Sequence, residues 1–218
     1  PLTPIQLSAE RLKRKYLSLI TEEQDLFISL TETISRQVAD IGRMVDEFSS
    51  FARMPAAKLT SNDLKKIIES QITLHSGANS NIDFHLEIRN APIIALCDDH
   101  QIRQMITNLL QNSIDSITAR ENNGNLDKGI VKIKSSIKSD FCHLEFIDNG
   151  IGLPAEISNR LTEPYVTTRE KGTGLGLAIV AKIVEDHGGT LRIHDVSEQG
   201  SGVVVTITIP LVETRNSK

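Results

Sequence analysis

Two asparagines one helical turn apart are the first residues in this chain whose spacing suggests chemistry. Asn108 and Asn112 lie in the stretch 108–113, and a separation of four residues places both amides on one face of a helix. Asn is a mediocre helix former, and the neighbouring leucines indicate a mostly buried helix, so a function is favoured over two solvent-facing amides. An amide oxygen is also a suitable hard ligand for Mg²⁺.

A carboxylate and two glycines follow a predicted strand in the sequence Asp148-Asn149-Gly150-Ile151-Gly152. A carboxylate at a strand end can accept a hydrogen bond from an adenine amino group, and the glycines let the backbone approach the base. The same pattern also occurs in ordinary strand-ending turns. Alone, it does not distinguish between the two interpretations.

A glycine-rich stretch lies where a predicted loop becomes a helix, at Lys171-Gly172-Thr173-Gly174-Leu175-Gly176-Leu177. Backbone amides at a helix N-terminus bind phosphate. The spacing differs from the dinucleotide fingerprint, and no Lys-Ser/Thr follows the glycines as in a Walker loop. The stretch therefore predicts a phosphate site of another kind.

The preceding segment, Glu163–Lys171, is predicted to be a mobile lid. Thr167, Thr168, Arg169 and Lys171 offer donors and positive charge for phosphates. Exposed lid charges are more often only solvated, so each residue is a candidate and no more.

The elements that must position these residues alternate between helix and strand. A long helix over about His100–Glu121, capped by Asp98 or Asp99, carries both asparagines. Gly200-Ser201-Gly202 is a loop signal before the last strand. Helices grouped against an antiparallel-rich sheet predict an α/β sandwich, so the whole chain is of the α+β class. The other predicted elements are a helix at 62–75 capped by Thr60, Ser61 or Asn62, a helix at 174–187, and strands at 82–88, 93–97, 130–138, 141–147, 190–196 and 203–209.

Residues 1–54 show a different periodicity, which predicts a hairpin of two helices around a polar turn at Thr21–Asp25. Apolar residues recur with heptad spacing in both helices, at Ile5, Ala9, Leu12, Tyr16 and Leu19, and at Ile34, Val38, Ile41, Val45, Phe48 and Ala52. A lone hairpin has little core, so we expect a homodimeric four-helix bundle, with packing on the rest of the same chain as the alternative. Thr3-Pro4 has the form of a helix start, with Thr3 as the cap. Pro55 should end the second helix, with 55–61 as a linker.

Composition restricts the function further. Of the 218 residues, 39% are hydrophobic and 24% are charged. The net charge of −4 does not indicate the positively charged surface that nucleic-acid binding requires. Cys97 and Cys142 are expected to be buried thiols. No apolar run approaches the length of a membrane span. The chain begins at Pro1 rather than Met, so we expect it to be part of a longer protein.

The order and spacing of these four stretches together resemble the N, G1, G2 and G3 boxes of the histidine-kinase catalytic domain. That domain belongs to a group that includes gyrase, the ninety-kilodalton chaperone and mismatch-repair ATPases, and the likeness covers about residues 60–210. It implies a mixed sheet of four or five strands backed by three helices, with ATP and Mg²⁺ between the sheet and the lid. Asn112 would ligate Mg²⁺ with Asn108 assisting, Asp148 would bind adenine, and Tyr165 would anchor the lid. Gly150 and Gly152 would flank the base, and Gly172, Thr173, Gly174, Leu175 and Gly176 would shape the phosphate site.

The front of the chain is similar to sensor kinases of the nitrogen-regulation NtrY type. Residues 1–10 resemble the end of their H box, and Arg36–Pro55 resembles their second dimerisation helix. The resemblance implies residues 1–54 as a dimerisation hairpin, 55–61 as a linker and 62–218 as the ATP-binding domain. The acceptor histidine would precede residue 1, so no catalytic residue is expected in this chain and autophosphorylation of it is not expected. A response regulator would be the partner, and the parent protein would be anchored in the bacterial inner membrane with this part in the cytoplasm.

One difference within the group bears on the reaction. Related ATPases carry a Glu general base four residues before the metal-binding Asn, and here that position is Asn108, which cannot accept a proton. Phosphoryl transfer to a histidine is therefore favoured over the alternatives of a chaperone- or gyrase-type ATPase and a non-catalytic binding module. Many relatives have Lys near the phosphates at the position of Asp115, so a phosphate contact there is in question. Thr is frequent at the position of Val203, so a bond near adenine is in question.

Overall fold

The computed structural model describes residues 2–88, 92–124, 127–153, 160–167, 172–197 and 200–211. Within these ranges the chain forms two compact units. The first contains the residues up to Met54 and a short segment that ends at Thr173, and the second starts at Pro55 and resumes at Gly174. None of the described helices is both long and apolar enough to cross a membrane.

The helical unit is a hairpin of α1 (Leu2–Tyr16), a 3₁₀ turn (Leu17–Leu19) and α2 (Gln24–Ala52). The end of α2 before Pro55 is confirmed, and a turn lies at residues 21–23, whereas Gln24 and Asp25 of the predicted turn already belong to α2. Ala9, Thr31 and Val38 are buried in this hairpin. Most of the heptad positions are instead 41–69% exposed, namely Ile5, Leu12, Tyr16, Leu19, Ile34, Ile41, Val45 and Phe48.

The predicted Thr3 cap is wrong, because α1 already includes Leu2 and Thr3. A cap residue must lie outside the helix, whereas Thr3 is within its first turn. Proline is compatible with this arrangement, since the first amides of a helix have no intrahelical acceptor and Pro4 loses no bond there. Pro4 instead accepts a hydrogen bond at its carbonyl from Ser8 Oγ, at 2.7 Å.

A five-stranded mixed sheet forms the framework of the second unit. Its strands are β2 (Ile82–Ile88), β4 (Gly129–Lys138), β5 (Phe141–Asp148), β6 (Thr190–Ser197) and β7 (Gly200–Pro210), and they lie in the order β2-β4-β5-β7-β6. β2 runs parallel to β4, and the other neighbours are antiparallel. Inward-facing residues alternate with half-exposed ones along β4, β5 and β7, and the strands predicted at 130–138, 141–147 and 203–209 are confirmed.

Three helices pack on this sheet: α3 (Leu64–Ala78), α4 (Asp99–Asn122) and α5 (Gly176–Asp186). α4 lies between the other two and contacts both β4 and β5. Its buried face, which includes Ile102, Ile106, Leu110 and Ile117, is solvent-inaccessible. The α+β class and the sheet backed by three helices are thus confirmed.

A short antiparallel pair of strands, β1 (Thr60–Asp63) and β3 (Ile94–Cys97), stands apart from the main sheet. The prediction that Thr60, Ser61 or Asn62 caps α3 is wrong, because these residues are in β1. The cap is Asp63, whose carboxylate accepts from the amides of Lys65 and Ile93, both at 3.1 Å. The same carboxylate therefore starts the helix and fixes the chain before β3.

The start of α4 is a junction of three segments. Asp98, the predicted cap, accepts from the amides of His100 and Gln101 at 3.0 and 3.1 Å and from Lys58 in the linker at 2.9 Å. The Asp98 amide donates to His187 Nε2 at the end of α5, at 2.9 Å. His187 Nδ1 lies 2.7 Å from the Ile183 carbonyl, so Nδ1 carries the proton. This junction connects the linker, α4 and α5.

Both cysteines are free and fully buried, as expected. Burial raises the pKa of each thiol, Cys97 and Cys142, to about 11.

The Asp98 cap yields a pH-dependent prediction. Burial would raise the pKa of Asp98, but the amides of Lys58, Gln101 and His100 outweigh it and lower the pKa from 3.8. Because the folded-state pKa is depressed, the carboxylate's contribution is complete above this ordinary value and is lost as the pH falls through the folded-state pKa. Asp98→Ala should reduce the free energy of unfolding by about 1–2 kcal/mol at neutral pH.

Chemical denaturation at several pH values measures this effect. Asp98→Asn keeps an acceptor oxygen and should lose less stability, and its difference from the parent should vanish in acid. Equal stability of parent and alanine variant at neutral pH would contradict the capping role.

Candidate functional site

Helix α4 carries the two asparagines, both partly exposed beside its buried face. The Asn108 Nδ2 atom is buried and has no hydrogen-bond partner among the described residues. A buried amide nitrogen without an acceptor is costly, which indicates a place where a polar ligand or water belongs. Asp115, one turn further on, accepts from Gln111 Nε2 at 2.7 Å.

Asp148 ends β5 and is only 6% exposed. Its Oδ1 atom accepts from the amides of Gly150 at 2.9 Å and Val203 at 3.3 Å, and Oδ2 accepts from Ser113 Oγ at 3.2 Å. Position 203 therefore contributes through its backbone, for which valine is sufficient. Three donors from three segments hold this carboxylate in one orientation.

The turn after Asp148 is fixed from several sides. Asn149 accepts at Oδ1 from the Ile130 amide at 2.8 Å and donates through Nδ2 to the Lys128 carbonyl at 3.0 Å. Arg120 donates to the Asn149 carbonyl at 2.7 Å. The turn is thereby attached to the start of β4 and the end of α4.

Glycine is required at two positions of this turn region because other segments approach closely. A Cβ atom on Gly150 would lie 2.1 Å from Ser116 Oγ. A Cβ atom on Gly202, which has φ +126°, would lie 2.1 Å from the Asp148 carbonyl oxygen. The α4, β5 and β7 backbones can meet around Asp148 only without these side chains.

Two further side chains hold the loop that follows. Ser116 Oγ accepts from the Ile151 amide at 3.1 Å, and Asp195 Oδ1 in β6 accepts from the Leu153 amide at 2.8 Å. Gly152, between the two donor residues Ile151 and Leu153, has φ +84°.

Sequence reasoning missed Ser113, Ser116 and Asp195. Only Ser116 had a signal, since it continues the four-residue spacing of the two asparagines.

The N-terminus of α5 lies next to Asn112. A Cβ atom on Gly176, the first residue of α5, would be 3.9 Å from both Asn112 Oδ1 and Nδ2. Leu175 before it is buried and makes no side-chain capping bond. A helix start without a side-chain cap leaves its first amides available to an anion.

The lid segment contacts the loop just before α5 through its backbone. The Tyr165 amide donates to the Gly174 carbonyl at 3.1 Å, while the Tyr165 side chain is 62% exposed. Gly174 has φ +69°, and a Cβ atom there would lie 2.6 Å from the Tyr165 carbonyl carbon. Thr167, two residues beyond Tyr165, is exposed.

The remaining predicted site residues fall elsewhere. Gly172 and Thr173 belong to the helical unit, where Thr173 Oγ1 donates to the Glu47 carboxylate at 2.5 Å. Thr168, Arg169 and Lys171 lie outside the described residues. Within the second unit, one stretch of α4 carries Asn112, and Asp148, Gly150 and Gly176 lie close to that stretch.

Comparison with known proteins identifies the family of the chain. Residues 97–213 match the model of the family described as histidine kinase-, DNA gyrase B- and HSP90-like ATPase. The chain belongs to this family, and its second unit is an ATP-binding domain of the histidine-kinase type.

Within the family the chain is similar to kinases of the NtrY type. It is 46% identical to nitrogen regulation protein NtrY of Azorhizobium caulinodans, over 96% of this chain and 27% of that protein. It is 39% identical to a putative NtrY-like sensor histidine kinase of Rickettsia felis, over 92% of this chain and 32% of the relative. The chain thus spans about a third or less of the length of these relatives.

Among solved structures, the catalytic domain of histidine kinase ThkA matches with a TM-score of 0.61 and 31% identity, covering 71% of this chain and 96% of that one. The expected resemblance to sensor kinases of the nitrogen-regulation type is therefore confirmed.

The close approach at Gly202 yields a second prediction. Gly202→Ala should destabilise the second unit strongly, because the added methyl meets the Asp148 carbonyl and the φ is unfavourable. Gly124→Ala is the matched control, since Gly124 also has a positive φ, +89°, but nothing lies within 4 Å of its Cβ position. The Gly202 variant should lose at least about 2 kcal/mol more than the control. Similar losses in thermal denaturation would show that conformation alone requires the glycine.

Proposed function

We propose that Asp148 binds the adenine amino group of ATP, that Asn112 ligates a magnesium ion carried by the phosphates, and that the parent protein transfers the γ-phosphoryl group to its own histidine. The observation that carries this proposal is the fixed orientation of the Asp148 carboxylate, at the end of a strand and beside a glycine turn.

The adenine end follows from the hydrogen bonds of Asp148. An ionised carboxylate is an acceptor only, with about four lone-pair positions. Gly150 and Val203 donate to Oδ1 and Ser113 donates to Oδ2, so the carboxylate presents acceptor oxygens in a fixed direction at the end of β5. An exocyclic amino group is the complementary donor, and Gly150 and Gly152 keep side chains away from the adjacent turn.

The phosphate end follows from the α5 N-terminus. Its uncapped amides and positive dipole end favour negative charge, and the Asn112 amide is adjacent. Among the described residues, no cluster of three His, Cys, Asp or Glu side chains forms a metal cage. A neutral amide suits Mg²⁺ in this setting, because Mg²⁺ in nucleotide enzymes commonly takes few protein ligands together with phosphate oxygens and water.

We propose Asn108, with its buried Nδ2 atom, as the residue that assists Asn112. The further contacts of the phosphates would be the lid residues Tyr165, Thr167, Thr168, Arg169, Lys171, Gly172, Thr173, Gly174 and Leu175.

Transfer rather than hydrolysis is favoured by the side chain at position 108. An amide cannot act as the general base that activates water, so the site holds ATP for a nucleophile supplied from elsewhere. The histidine imidazole would attack the γ-phosphorus, the bond to the bridging oxygen would break, and ADP would leave. Phosphoryl transfer of this kind depends mainly on positioning and charge stabilisation.

We further propose a response regulator as the second acceptor, through an aspartate, and a cytoplasmic location for this part of a membrane-anchored parent. Similarity to NtrY-type sensor kinases supports both. A structure of ThkA in complex with the response regulator TrrA is similar in fold, with a TM-score of 0.69 at 24% identity over 96% of this chain and 58% of that one.

The helical hairpin would serve as the dimerisation element. Its heptad positions on α1 and α2 keep large apolar side chains 41–69% exposed in the single chain. A second copy could cover them in a four-helix bundle, for which heptad spacing is suited.

Asn112→Ala tests the metal role. The variant should weaken Mg-ATP binding by roughly tenfold or more while changing thermal stability less, because it removes the amide oxygen proposed as the metal ligand. Isothermal calorimetry measures the affinity. Asn122→Ala, exposed at the end of the same helix, is the control and should bind as the parent does. Unchanged affinity in the Asn112 variant would remove that role.

Val45→Glu tests the dimer. A charge in an apolar seam is costly to desolvate, so this variant should be monomeric by light scattering at concentrations where the parent is dimeric. Gln37→Glu adds the same charge at an exposed polar position of α2 and should remain dimeric. A parent that is monomeric at all concentrations would contradict the proposal.

A further inference from the structure

Two Asn-Gly pairs occur in the chain, at Asn123-Gly124 and at Asn149-Gly150. The backbone nitrogen of the residue after an asparagine can attack the side-chain amide carbon, and glycine in that position has no Cβ atom to obstruct the approach. The reaction needs an asparagine side chain that is free to turn and a glycine amide that can leave its own hydrogen bond. The surroundings of the two pairs therefore decide which of them can react.

The pair Asn149-Gly150 is held at each group that would have to move. The Asn149 side chain accepts from the Ile130 amide at 2.8 Å and donates to the Lys128 carbonyl at 3.0 Å. The Asn149 carbonyl accepts from Arg120 at 2.7 Å. Gly150 is buried, and its amide donates to the carboxylate at the end of β5 at 2.9 Å. Attack at Asn149 would have to break these bonds first.

The pair Asn123-Gly124, at the end of α4, is far less restrained. Both residues are exposed, and among the described residues the hydrogen bonds of Asn123 involve only its backbone. The Gly124 amide donates to the Glu121 carbonyl at 2.9 Å, in the last turn of the helix. Such terminal bonds open far more often than those at a helix centre. Nothing lies within 4 Å of a Cβ position on Gly124, so no described segment packs against this residue.

We propose that Asn123 is a site of spontaneous deamidation, with water as the co-reactant, and that the contacts of Asn149 protect the second pair from the same reaction. The Gly124 nitrogen forms a bond to the Asn123 Cγ atom and gives up its proton, the Cγ–Nδ2 bond breaks, and ammonia leaves. Water then opens the resulting cyclic imide at one carbonyl or the other, which produces aspartate or isoaspartate. No electrons are exchanged, so the reaction needs no oxidant or reductant.

The product would alter the connection between α4 and β4. A carboxylate would replace a neutral amide beside the last carbonyls of α4, where the negative end of the helix dipole disfavours it. Isoaspartate would also add a carbon atom to the main chain. The segment that follows carries the Lys128 carbonyl and the Ile130 amide, which hold Asn149. Deamidation at the exposed pair would thus weaken the attachment of the protected one.

The experiment is incubation of the full chain at mildly alkaline pH in water enriched in heavy oxygen, followed by peptide mass mapping. The heavy oxygen marks the carboxylates that form during incubation and excludes those that form in sample preparation. In the folded chain Asn123 should react at least about tenfold faster than Asn149, because even one additional hydrogen bond to be broken accounts for a factor of this size. In concentrated urea, where the contacts of Asn149 are lost, the two rates should become similar.

Asn123→Gln is the matched variant, because its longer side chain closes a larger ring much more slowly. Its melting temperature should stay constant during the incubation, while that of the parent should fall as product accumulates. If Asn123 stayed intact in the folded chain while it reacted in urea, the assignment would be overturned. Reaction of Asn149 in the folded chain at the rate of Asn123 would overturn the protection. The inference does not rest on the proposed nucleotide site, and its failure would leave that proposal unaffected.

Discussion

The buried carboxylate of Asp148 is the constraint on which the second unit depends. Removing such a group from water is costly unless donors replace the lost hydration, and here a helix, a turn and a returning strand each supply one. Those donors can reach the carboxylate only if the three backbones converge, and convergence in turn demands glycine at positions 150 and 202. The interaction that prepares the site for a base is thus also one that joins helix α4 to the sheet.

The opposite end of α4 is held by a separate set of polar contacts. Asp98 joins the linker to the first turn of α4, and His187 joins that turn to the last turn of α5. Gln101 adds a bond from its amide to the Pro55 carbonyl, at 2.9 Å. The helix that carries both asparagines is therefore fixed at its start by the segment that follows the hairpin, and along its length by the sheet.

Much of this architecture could be predicted from the sequence, because apolar periodicity survives wherever a face is buried. The alternation in β4 and β7 and the cap at Asp98 were found correctly for that reason and for the capping preference of aspartate. β1 could not be found, since Thr60-Ser61-Asn62-Asp63 has neither apolar alternation nor high strand propensity. It forms through long-range pairing with β3, supported by a bond from Asn62 Nδ2 to the Cys97 carbonyl at 2.8 Å.

The site was predictable only in part, for a related reason. Asn112 and Asp148 belong to motifs with local spacing, which a sequence displays directly. Ser113 and Asp195 act on residues 35 and 42 positions away, and nothing local distinguishes them from serines and aspartates that bond within their own element. Spatial partners across a sheet follow from topology, which single-sequence patterns define only coarsely.

The burial of Cys97 and Cys142 has a practical consequence for labelling. A thiol with a pKa of about 11 is ionised in only about one molecule in ten thousand at neutral pH, and both sulfur-bearing side chains are shielded from solvent. Maleimide dyes or nitroxide spin probes would thus find almost no native target. A single cysteine placed on an exposed helix position would accept such a reporter without removal of the two natural ones.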